Sequence, residues 1–440
     1  MNGFRPAEGG GRRFLITSLG CKVNQAEAGV ISQELNALGW TPAAEGQAAE
    51  LVVLLTCTVT ATAGRQSRQL ARRLQREHPG ARVVVTGCDV QAGPQAYARE
   101  GLLVVGRSDL AGLGLGLAGP AASSPAPPPS LDLAPPDAGD FCPGWRPPQA
   151  GRTRGLLKVQ DGCDAHCAYC IVPQTRGRPR SLPLAQALAQ WRGLGEGGAA
   201  EVVLTGVHLG RYGQDLTPAS DLLELAQALL AAHPGPRLRL SSLEVSEVGD
   251  GLLALMAREP RLCDHLHIPL QSGSDRLLKA MGRPYDTATY AARAHAVAAA
   301  LPGVCLGADV MVGLPGETEQ DFAQTEELIA SLPLAYLHVF PYSPRPGTPA
   351  AAWPGRVPGP LAKARAARLR ALSRRKRLAF LASQEGRELL AVVEASGLAR
   401  TGNYCLARLD QPATVGALLR VRLGRPLPGG QEPLLAGRVL

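Results

Sequence analysis

Short apolar runs alternate with helical patterns through the first part of the chain. The segments FLITSLGC, LVVLLTC and RVVVTGC each join an apolar run to a final cysteine, and each predicts a strand. Residues 25–38 and 64–77 lie between these runs and have the apolar spacing of helices. Strands that alternate with helices are typical of a parallel sheet, so we expect an open parallel α/β domain over residues 12–110.

The same alternation resumes after residue 150. Helical patterns such as SDLLELAQALLAAH separate six predicted strands, which cover residues 155–160, 201–206, 237–243, 265–270, 304–312 and 336–341. Six successive βα units indicate a partial (βα)6 barrel over residues 151–355. In such a barrel, ligands bind at the carboxyl ends of the strands.

The remaining segments differ in composition. Residues 111–150 are rich in Pro, Gly, Ala and Ser and predict a linker. Residues 356–386 predict a basic amphipathic helix, and short apolar runs over 387–440 predict a small β-barrel. The helix takes its charge from Arg365, Arg368, Arg374, Arg375, Lys376 and Arg377. These side chains form either a solvated face or a nucleic-acid contact.

Overall charge and hydropathy narrow the class of protein. The chain has 440 residues, with 46 Lys and Arg against 37 Asp and Glu, and a formal net charge of +9. This excess fits an anionic partner such as nucleic acid, or a basic surface without one. No apolar stretch is long enough to span a membrane, and the run 14–19 after Arg13 is too short for a signal-peptide core. We therefore expect a cytoplasmic protein with no membrane partner.

Cysteines carry the first candidate chemistry. The chain has ten, and in a reducing compartment they favour metal ligation or catalysis over disulfides. Cys21, Cys57 and Cys88 each follow a predicted strand, and the carboxyl ends of parallel strands lie along one edge of a sheet. A single cysteine in such a place is more often a small buried residue. The threefold repetition nevertheless predicts a site with three thiolates.

A second group of cysteines follows the first predicted barrel strand. Cys163, Cys167 and Cys170 lie in QDGCDAHCAYC with C-x3-C-x2-C spacing. A structural zinc site needs a fourth ligand and usually a second Cys/His pair, yet the next cysteine is Cys263, and His166 would crowd a tetrahedral site. Three close thiolates suit a 4Fe–4S cluster with one iron left open to a ligand.

This spacing, together with motifs along nearly the whole chain, resembles a known family. The C-x3-C-x2-C loop is similar to the signature of the radical S-adenosylmethionine (SAM) superfamily. The wider resemblance is to its methylthiotransferases, and the stretches that carry it are SLGCKVNQAE, TCTVT, TGC, QDGCDAHCAYCIVPQTRGRPRS, EVVLTGVHLGRYGQDL, LRLSSLE, HLHIPLQSGSDRLLKAMGRPY, ADVMVGLPGETEQDF and FPYSPRPGTPA.

The resemblance implies two 4Fe–4S clusters and SAM as cofactors. It assigns Cys163, Cys167 and Cys170 to the radical cluster, and Cys21, Cys57 and Cys88 to a second cluster. It also implies that the strand ends of both domains open toward one cavity. Residues 387–440 resemble the RNA-binding TRAM domain of the family, with TGNY as the clearest local match. The implied partners are the anticodon stem-loop of tRNA, an electron donor and a sulfur source.

The motifs GCKVNQ and LTGVHLGRYG resemble the family branch that acts on threonylcarbamoyladenosine in tRNA. The implied reaction forms a 5′-deoxyadenosyl radical, which removes hydrogen from C2 of the modified adenine at position 37. A methylthio group from the second cluster then replaces that hydrogen. The C2–H bond of the adenine is too strong to be broken by acid–base chemistry, so the cofactor must remove this hydrogen. The alternative is a sister enzyme that acts on isopentenyladenosine in tRNA or on a ribosomal protein.

Other polar residues are weaker candidates. Three at strand ends are candidate SAM contacts, or else ordinary loop residues: Gly206, Ser242 and Glu244. Three arginines that follow the C-x3-C-x2-C loop are candidate contacts for phosphate or the threonyl carboxylate, or else solvated charges: Arg176, Arg178 and Arg180.

The remaining histidines and cysteines of interest have simpler expected roles. We expect hydrogen-bonded core histidines at His208, His265 and His267. We expect small apolar packing at Cys263, Cys305 and Cys405, and no ligand role for Cys142 in the linker.

Overall fold

The computed structural model describes residues 12–44, 46–110, 113, 133–137, 141–147, 153–395, 397–427 and 433–440. The chain divides into two compact units. The N-terminal unit comprises Met1–Arg146 and Ile171–Arg178, and the C-terminal unit comprises Pro147–Cys170 and Pro179–Leu440. Residues 171–178, which directly follow Cys170, therefore group with the N-terminal unit. Within the described ranges, none of the helices combines the length and the apolar character that a membrane crossing requires.

The N-terminal unit is built on a parallel sheet, as the strand–helix alternation predicts. Its strands, in the order β2-β1-β3-β4-β5, are β1 (Arg13–Ser18), β2 (Thr41–Pro42), β3 (Leu51–Thr56), β4 (Arg82–Gly87) and β5 (Leu103–Val104). Its helices are α1 (Lys22–Ala37), α2 (Ala61–Glu77), α3 (Cys88–Ala92), α4 (Gln95–Ala98) and α5 (Val172–Arg176), and β6 (Gly144–Arg146) lies against α1.

Strand β3 lies at the centre of this sheet and is buried along its whole length. Val53 and Leu55 face one apolar cluster, while Val52 and Leu54 face another, because successive side chains point to opposite faces. A strand covered on both faces reads as a continuous apolar run, which is how LVVLLT appears in the sequence. Most of the predicted linker 111–150 lies outside the described residues, but Cys142 is buried in the first of these clusters.

The C-terminal unit begins with the predicted βα succession. Its strands are β7 (Arg154–Lys158), β8 (Gln160–Asp161), β9 (Arg180–Ser181), β10 (Glu201–Thr205), β11 (Arg237–Leu240), β12 (His265–His267), β13 (Cys305–Val312) and β14 (Tyr336–Pro341). Its helices are α6 (Leu184–Glu196), α7 (Leu222–Ala232), α8 (Asp250–Arg258), α9 (Asp275–Met281), α10 (Thr287–Ala300) and α11 (Glu319–Ser331). Strands β7, β10 and β11 pair in parallel, and so do β12, β13 and β14. The six predicted strands are present, although β11 and β12 end three residues early.

A long helix and a closed barrel complete this unit. Helix α12 (Gly359–Ala382) packs on β14. The barrel has the order β15-β16-β17-β19-β18 and consists of β15 (Glu388–Ala395), β16 (Leu398–Thr401), β17 (Leu406–Leu409), β18 (Leu418–Leu427) and β19 (Leu434–Val439). The predicted small C-terminal β-barrel is therefore confirmed.

Part of the positive charge on α12 serves the fold. Arg365 is buried, and its Nη1 lies 2.6 Å from a carboxylate oxygen of Glu317. Arg377 donates to the carbonyl of Tyr404 at 2.7 Å. Arg374 and Arg375 are exposed, so only part of the predicted basic face is available to an anionic partner.

Buried ion pairs attach the small barrel to the parallel strands of the C-terminal unit. Arg237 and Arg239 on β11 flank the carboxylate of Glu201, at 2.5 Å and 2.6 Å. The same arginines donate to backbone carbonyls of the barrel, at Leu390, Arg400, Thr401 and Gly402. Each charge is thus paired and hydrogen-bonded, which is the condition under which buried ions are tolerated.

Candidate metal centres

The first cysteine group lies at one edge of the N-terminal sheet. Cys21 lies between β1 and the first residue of α1, Cys57 directly follows β3, and Cys88 begins α3 after β4. These strands are neighbours in the sheet, so their carboxyl ends meet. Burial, with smaller contributions from the nearby thiols of Cys88 and Cys21, raises the pKa of the Cys57 thiol to about 11. The structure therefore brings together the three cysteines that the sequence pattern predicts to converge.

Close backbone packing shapes this edge. Gly20 has a φ of +88°, and a Cβ atom there would lie 2.4 Å from the sulfur of Cys57. The Asn24 side chain on α1 donates to the carbonyls of Leu19 and Thr56, both at 2.9 Å. One amide thus joins the chain before Cys21 to the chain before Cys57.

A buried ion network lies behind these cysteines. Arg107 donates to Glu27 at 2.9 Å, and Arg176 on α5 contacts the same carboxylate at 3.3 Å. Arg176 also donates to the Asn24 amide oxygen at 2.7 Å. The positive charge of Arg176 lowers the pKa of Cys57, against the larger effect of burial. Two guanidinium groups on one carboxylate therefore leave net positive charge near the thiols.

A second carboxylate links the loops after Cys57 and Cys88. Asp89 accepts hydrogen bonds from Thr58 at 2.9 Å, from Arg68 at 2.8 Å and from the Tyr97 hydroxyl at 2.7 Å. Because Thr58 follows Cys57 and Asp89 follows Cys88, this contact fixes one loop against the other.

The second cysteine group lies in the C-terminal unit, on the loop that follows β7 and β8. Backbone bonds hold the loop: Ala168 donates to Met281 at 2.9 Å, and Ala350 donates to Ala168 at 2.8 Å. Gly282 ends α9 with a φ of +74°, and a Cβ there would lie 3.1 Å from the His166 carbonyl. Cys163, Cys167 and Cys170 are each partly exposed, as ligands of an accessible centre must be.

Charged donors lie against two of these sulfurs. His208 Nδ1 is 3.4 Å from the sulfur of Cys163, and its Nε2 is 2.6 Å from Glu247. Burial lowers the pKa of His208, but the bonds to Cys163 and Glu247 outweigh it and raise the value to about 10. Arg283 donates to the sulfur of Cys167 at 3.3 Å and pairs with Glu244. Donors of this kind stabilise thiolates and tune iron–sulfur centres.

Both groups fit an iron–sulfur cluster better than a single ion. Among the described residues, neither group has three ligand atoms within 4.8 Å of one another, whereas thiolates on one tetrahedral Zn²⁺ lie about 3.8 Å apart, given bonds of roughly 2.3 Å. A cubane separates its thiolates more widely because each sulfur binds a different iron. The donors at Cys163 and Cys167, and the positive charge near Cys57, would offset the negative charge of such a group.

Comparison with known proteins identifies the family. The model described as Radical SAM superfamily matches residues 157–329, and that described as Uncharacterized protein family UPF0004 matches residues 13–106. The threonylcarbamoyladenosine tRNA methylthiotransferase MtaB of Rickettsia prowazekii is 33% identical, over 93% of this chain and 94% of the relative. The MtaB of Bacillus subtilis is 36% identical, over 87% of this chain and 85% of the relative. The chain belongs to the radical SAM methylthiotransferase family.

Other matches define the limits of this resemblance. The tRNA-2-methylthio-N(6)-dimethylallyladenosine synthase of Sphingopyxis alaskensis is 31% identical, over 97% of this chain and 98% of the relative. A solved structure of TsrM, a radical SAM methyltransferase from Kitasatospora setae, aligns with a TM-score of 0.53 at 16% identity, over 78% of this chain and 77% of that one. This structural likeness supports the fold alone.

The family assignment makes this chain a radical SAM enzyme, with SAM and one 4Fe–4S cluster as its cofactors. Gly206 follows β10 against Gln160, and Ser242 is exposed after β11. Glu244 is paired with Arg283. These three stay predicted SAM contacts.

The three arginines after the radical loop have different surroundings. Arg176 is 2% exposed and belongs to the ion network described above. The Arg178 backbone donates to Asp137 at 3.1 Å, and its side chain is exposed. Arg180 lies on β9 and is partly exposed. Their roles toward a methylthiotransferase substrate stay predictions.

Sequence reasoning missed several groups around the centres. It did not find Asn24, Glu27 or Arg107, and it did not connect His208 and Arg283 with the cysteine loop. His208 carried a detectable signal, because it follows β10 at the same strand edge as the loop. The four cysteines outside the two groups are all buried, at Cys142, Cys263, Cys305 and Cys405.

Proposed function

We propose that this protein converts N6-threonylcarbamoyladenosine at position 37 of tRNA into its 2-methylthio derivative. The observation that carries the proposal is the presence of two separate groups of three cysteines, one at a sheet edge and one on a loop, in a chain that matches threonylcarbamoyladenosine tRNA methylthiotransferases over nearly its full length. We place the enzyme in the cytoplasm, because its free cysteines suit a reducing compartment.

The C-terminal cysteines are proposed to hold the radical cluster, at Cys163, Cys167 and Cys170. When bound, this cluster supplies the electron that cleaves SAM and so permits removal of hydrogen from C2 of the adenine. The loop that carries these cysteines is held near the carboxyl ends of the strands by backbone hydrogen bonds to Met281 and Ala350. His208 and Arg283 donate toward two of the sulfurs, which holds these thiolates in place and limits their charge.

The N-terminal cysteines are proposed to hold a second 4Fe–4S cluster, which would provide the methylthio group. Asn24 fixes the strand ends that precede Cys21 and Cys57, and Asp89 fixes the loops that follow Cys57 and Cys88. The chain thus orients the three thiolates through side chains that are themselves buried. An external electron donor and an external sulfur source would complete the cycle.

The proposed partner is the anticodon stem-loop of tRNA. Exposed arginines on the C-terminal barrel offer charge to its phosphates, at Arg408, Arg420, Arg425 and Arg438. Exposed Arg374 and Arg375 on α12 add to this charge. Binding through such contacts should weaken steeply with added salt.

The nucleoside profile of tRNA tests the proposed substrate. We expect a deletion strain to lose the 2-methylthio form of threonylcarbamoyladenosine and to accumulate threonylcarbamoyladenosine itself. Mass spectrometry of digested tRNA measures both nucleosides. Plasmid-borne wild-type protein should restore it. An unchanged pool of that nucleoside, with loss of the isopentenyladenosine derivative or of a methylthio group on a ribosomal protein, would assign the chain to a sister enzyme.

Iron analysis tests the proposed cofactors. Anaerobic reconstitution should give about eight irons per chain, because each cubane carries four. Zinc in place of iron, or about four irons, would reject two clusters.

A further inference from the structure

Two imidazoles and a carboxylate meet on neighbouring strands of the C-terminal unit. Asp309 on β13 is the direct register partner of His338 on β14, and His267 lies on β12, the other neighbour of β13. The Asp309 Oδ1 atom is 3.0 Å from His267 Nε2 and 3.2 Å from His338 Nδ1. We refer to these three residues as the His–Asp–His cluster.

The strand register places the three side chains on one face. His267 is paired with Gly307, and Asp309 lies two residues further along the same strand, so both point to the same side of the sheet. His267 is buried, whereas the side chain of Asp309 is 25% exposed and that of His338 is 64% exposed. The cluster therefore has a fixed inner ligand and an outer side open to solvent.

A tyrosine sets which nitrogen of His267 faces the carboxylate. The Tyr336 hydroxyl lies 3.0 Å from His267 Nδ1 and 2.9 Å from His265 Nε2. Tyr336 is the register partner of Gly307, and a Cβ atom on that glycine would lie 2.1 Å from the tyrosine ring. Because Gly307 has no side chain, the Tyr336 ring can lie across this strand. Its hydroxyl then holds His267 with Nε2 toward Asp309.

This arrangement has the features of a metal-binding site. In the part of the chain that the structure describes, it is the one group of three His, Cys, Asp or Glu residues whose ligand atoms all lie within 4.8 Å of one another. Neighbouring ligand atoms on a tetrahedral Zn²⁺ are about 3.3 Å apart, given bonds of roughly 2.0–2.1 Å. A metal-bound histidine is also held through its second nitrogen, as Tyr336 holds His267.

We propose that His267, Asp309 and His338 bind a first-row divalent transition-metal ion. Two imidazoles and one carboxylate suit zinc and its neighbours in the series, and three protein ligands leave coordination positions open to water or an oxygen ligand. The cluster shares no residue with either cysteine group. The inference therefore stands apart from the proposed function.

Zinc binding to the holoenzyme tests the site. Reconstituted wild-type enzyme is cleared of loose metal on a chelating resin, dialysed against Zn²⁺ and assayed for zinc and iron. We expect one zinc per chain with the iron content unchanged. His338→Ala should lose this zinc, and its folding should be unaffected because the side chain is largely exposed. His295→Ala removes an exposed histidine of α10 and should keep it.

Two further measurements separate the cluster from other zinc-binding groups. X-ray absorption at the zinc edge should show nitrogen and oxygen ligands, with no sulfur. Tyr336→Phe keeps the ring but removes the hydroxyl that orients His267, and should weaken zinc binding by about 10–100-fold. Sulfur in the zinc shell, or equal zinc in wild type and His338→Ala, would overturn the proposal.

Discussion

The two cysteine groups of this chain are formed in different ways. Cys163, Cys167 and Cys170 come from one loop, so their spacing in the sequence already describes the centre. Cys21, Cys57 and Cys88 come from three strands, and only the parallel topology brings them to one edge. A centre whose ligands come from one loop can be predicted from a sequence motif. A centre whose ligands come from separate strands can be predicted only when the topology of the fold is known.

Their surroundings differ as well. The loop cysteines are partly exposed and have direct donors, since His208 and Arg283 approach two of the sulfurs. In the dispersed group, Cys57 is 5% exposed and Cys88 is 7% exposed, whereas Cys21 is exposed. There the positive charge of Arg176, which is bonded to Asn24, lowers the pKa of Cys57. We therefore expect changes at the two groups to have separable effects.

The largest expected effect is that of Cys167→Ala. Removal of this thiolate should abolish reductive cleavage of SAM, because the radical cluster loses one of its three proposed ligands. The measurement is formation of 5′-deoxyadenosine under anaerobic reducing conditions. Cys305→Ala, at a buried cysteine of the same unit, should retain cleavage. Undiminished cleavage in Cys167→Ala would remove the loop from the radical chemistry.

Cys57→Ala should separate the two centres. We expect this variant to keep SAM cleavage and to lose methylthio transfer to tRNA, with iron falling to about four per chain. Product is measured by nucleoside mass spectrometry, and folding by circular dichroism. Cys142→Ala is the matched control, because Cys142 is buried in the same unit. Equal loss of both activities in folded Cys57→Ala would contradict separate roles.

The comparison also shows what a sequence can predict. The buried strands were predictable because runs such as LVVLLT must be covered on both faces. Convergence of Cys21, Cys57 and Cys88 followed from parallel topology, and the confirmed family agrees with the motifs. The supporting contacts were not predictable, because Glu27 bonds Arg107 across 80 residues and Arg176 across 149. Nothing in local spacing indicates which arginine will reach a given carboxylate.

Gly20→Ala should disturb the dispersed centre through the backbone. Alanine at a φ of +88° is strained by roughly 1–2 kcal/mol. Its Cβ would also lie 2.4 Å from the Cys57 sulfur, so this thiol must move. We expect partial or complete loss of the second cluster, measured as iron per chain, with SAM cleavage retained.

Gly39→Ala is the matched control for that change. Gly39 lies in the same unit with a φ of +81°, and its added Cβ meets nothing within 4 Å. It should therefore show the backbone strain alone and keep its iron. Equal iron loss in the two variants would attribute the effect to general destabilisation of the unit rather than to displacement of Cys57.

Gly282→Ala is expected to have the smallest effect. The residue has a φ of +74°, so alanine should lower the free energy of unfolding by roughly 1–2 kcal/mol. Its Cβ would lie 3.1 Å from the His166 carbonyl and 3.9 Å from the Cys167 Cα, which the loop can accommodate by a small shift. Thermal denaturation should show a lower midpoint, while iron content and SAM cleavage stay near wild type.

Gly397→Ala, with a φ of +76° and nothing within 4 Å of the added Cβ, should lower the midpoint by a similar amount. If Gly282→Ala alone loses the radical cluster, the loop is as sensitive to backbone position as the dispersed edge, and the contrast between a local and a dispersed centre fails.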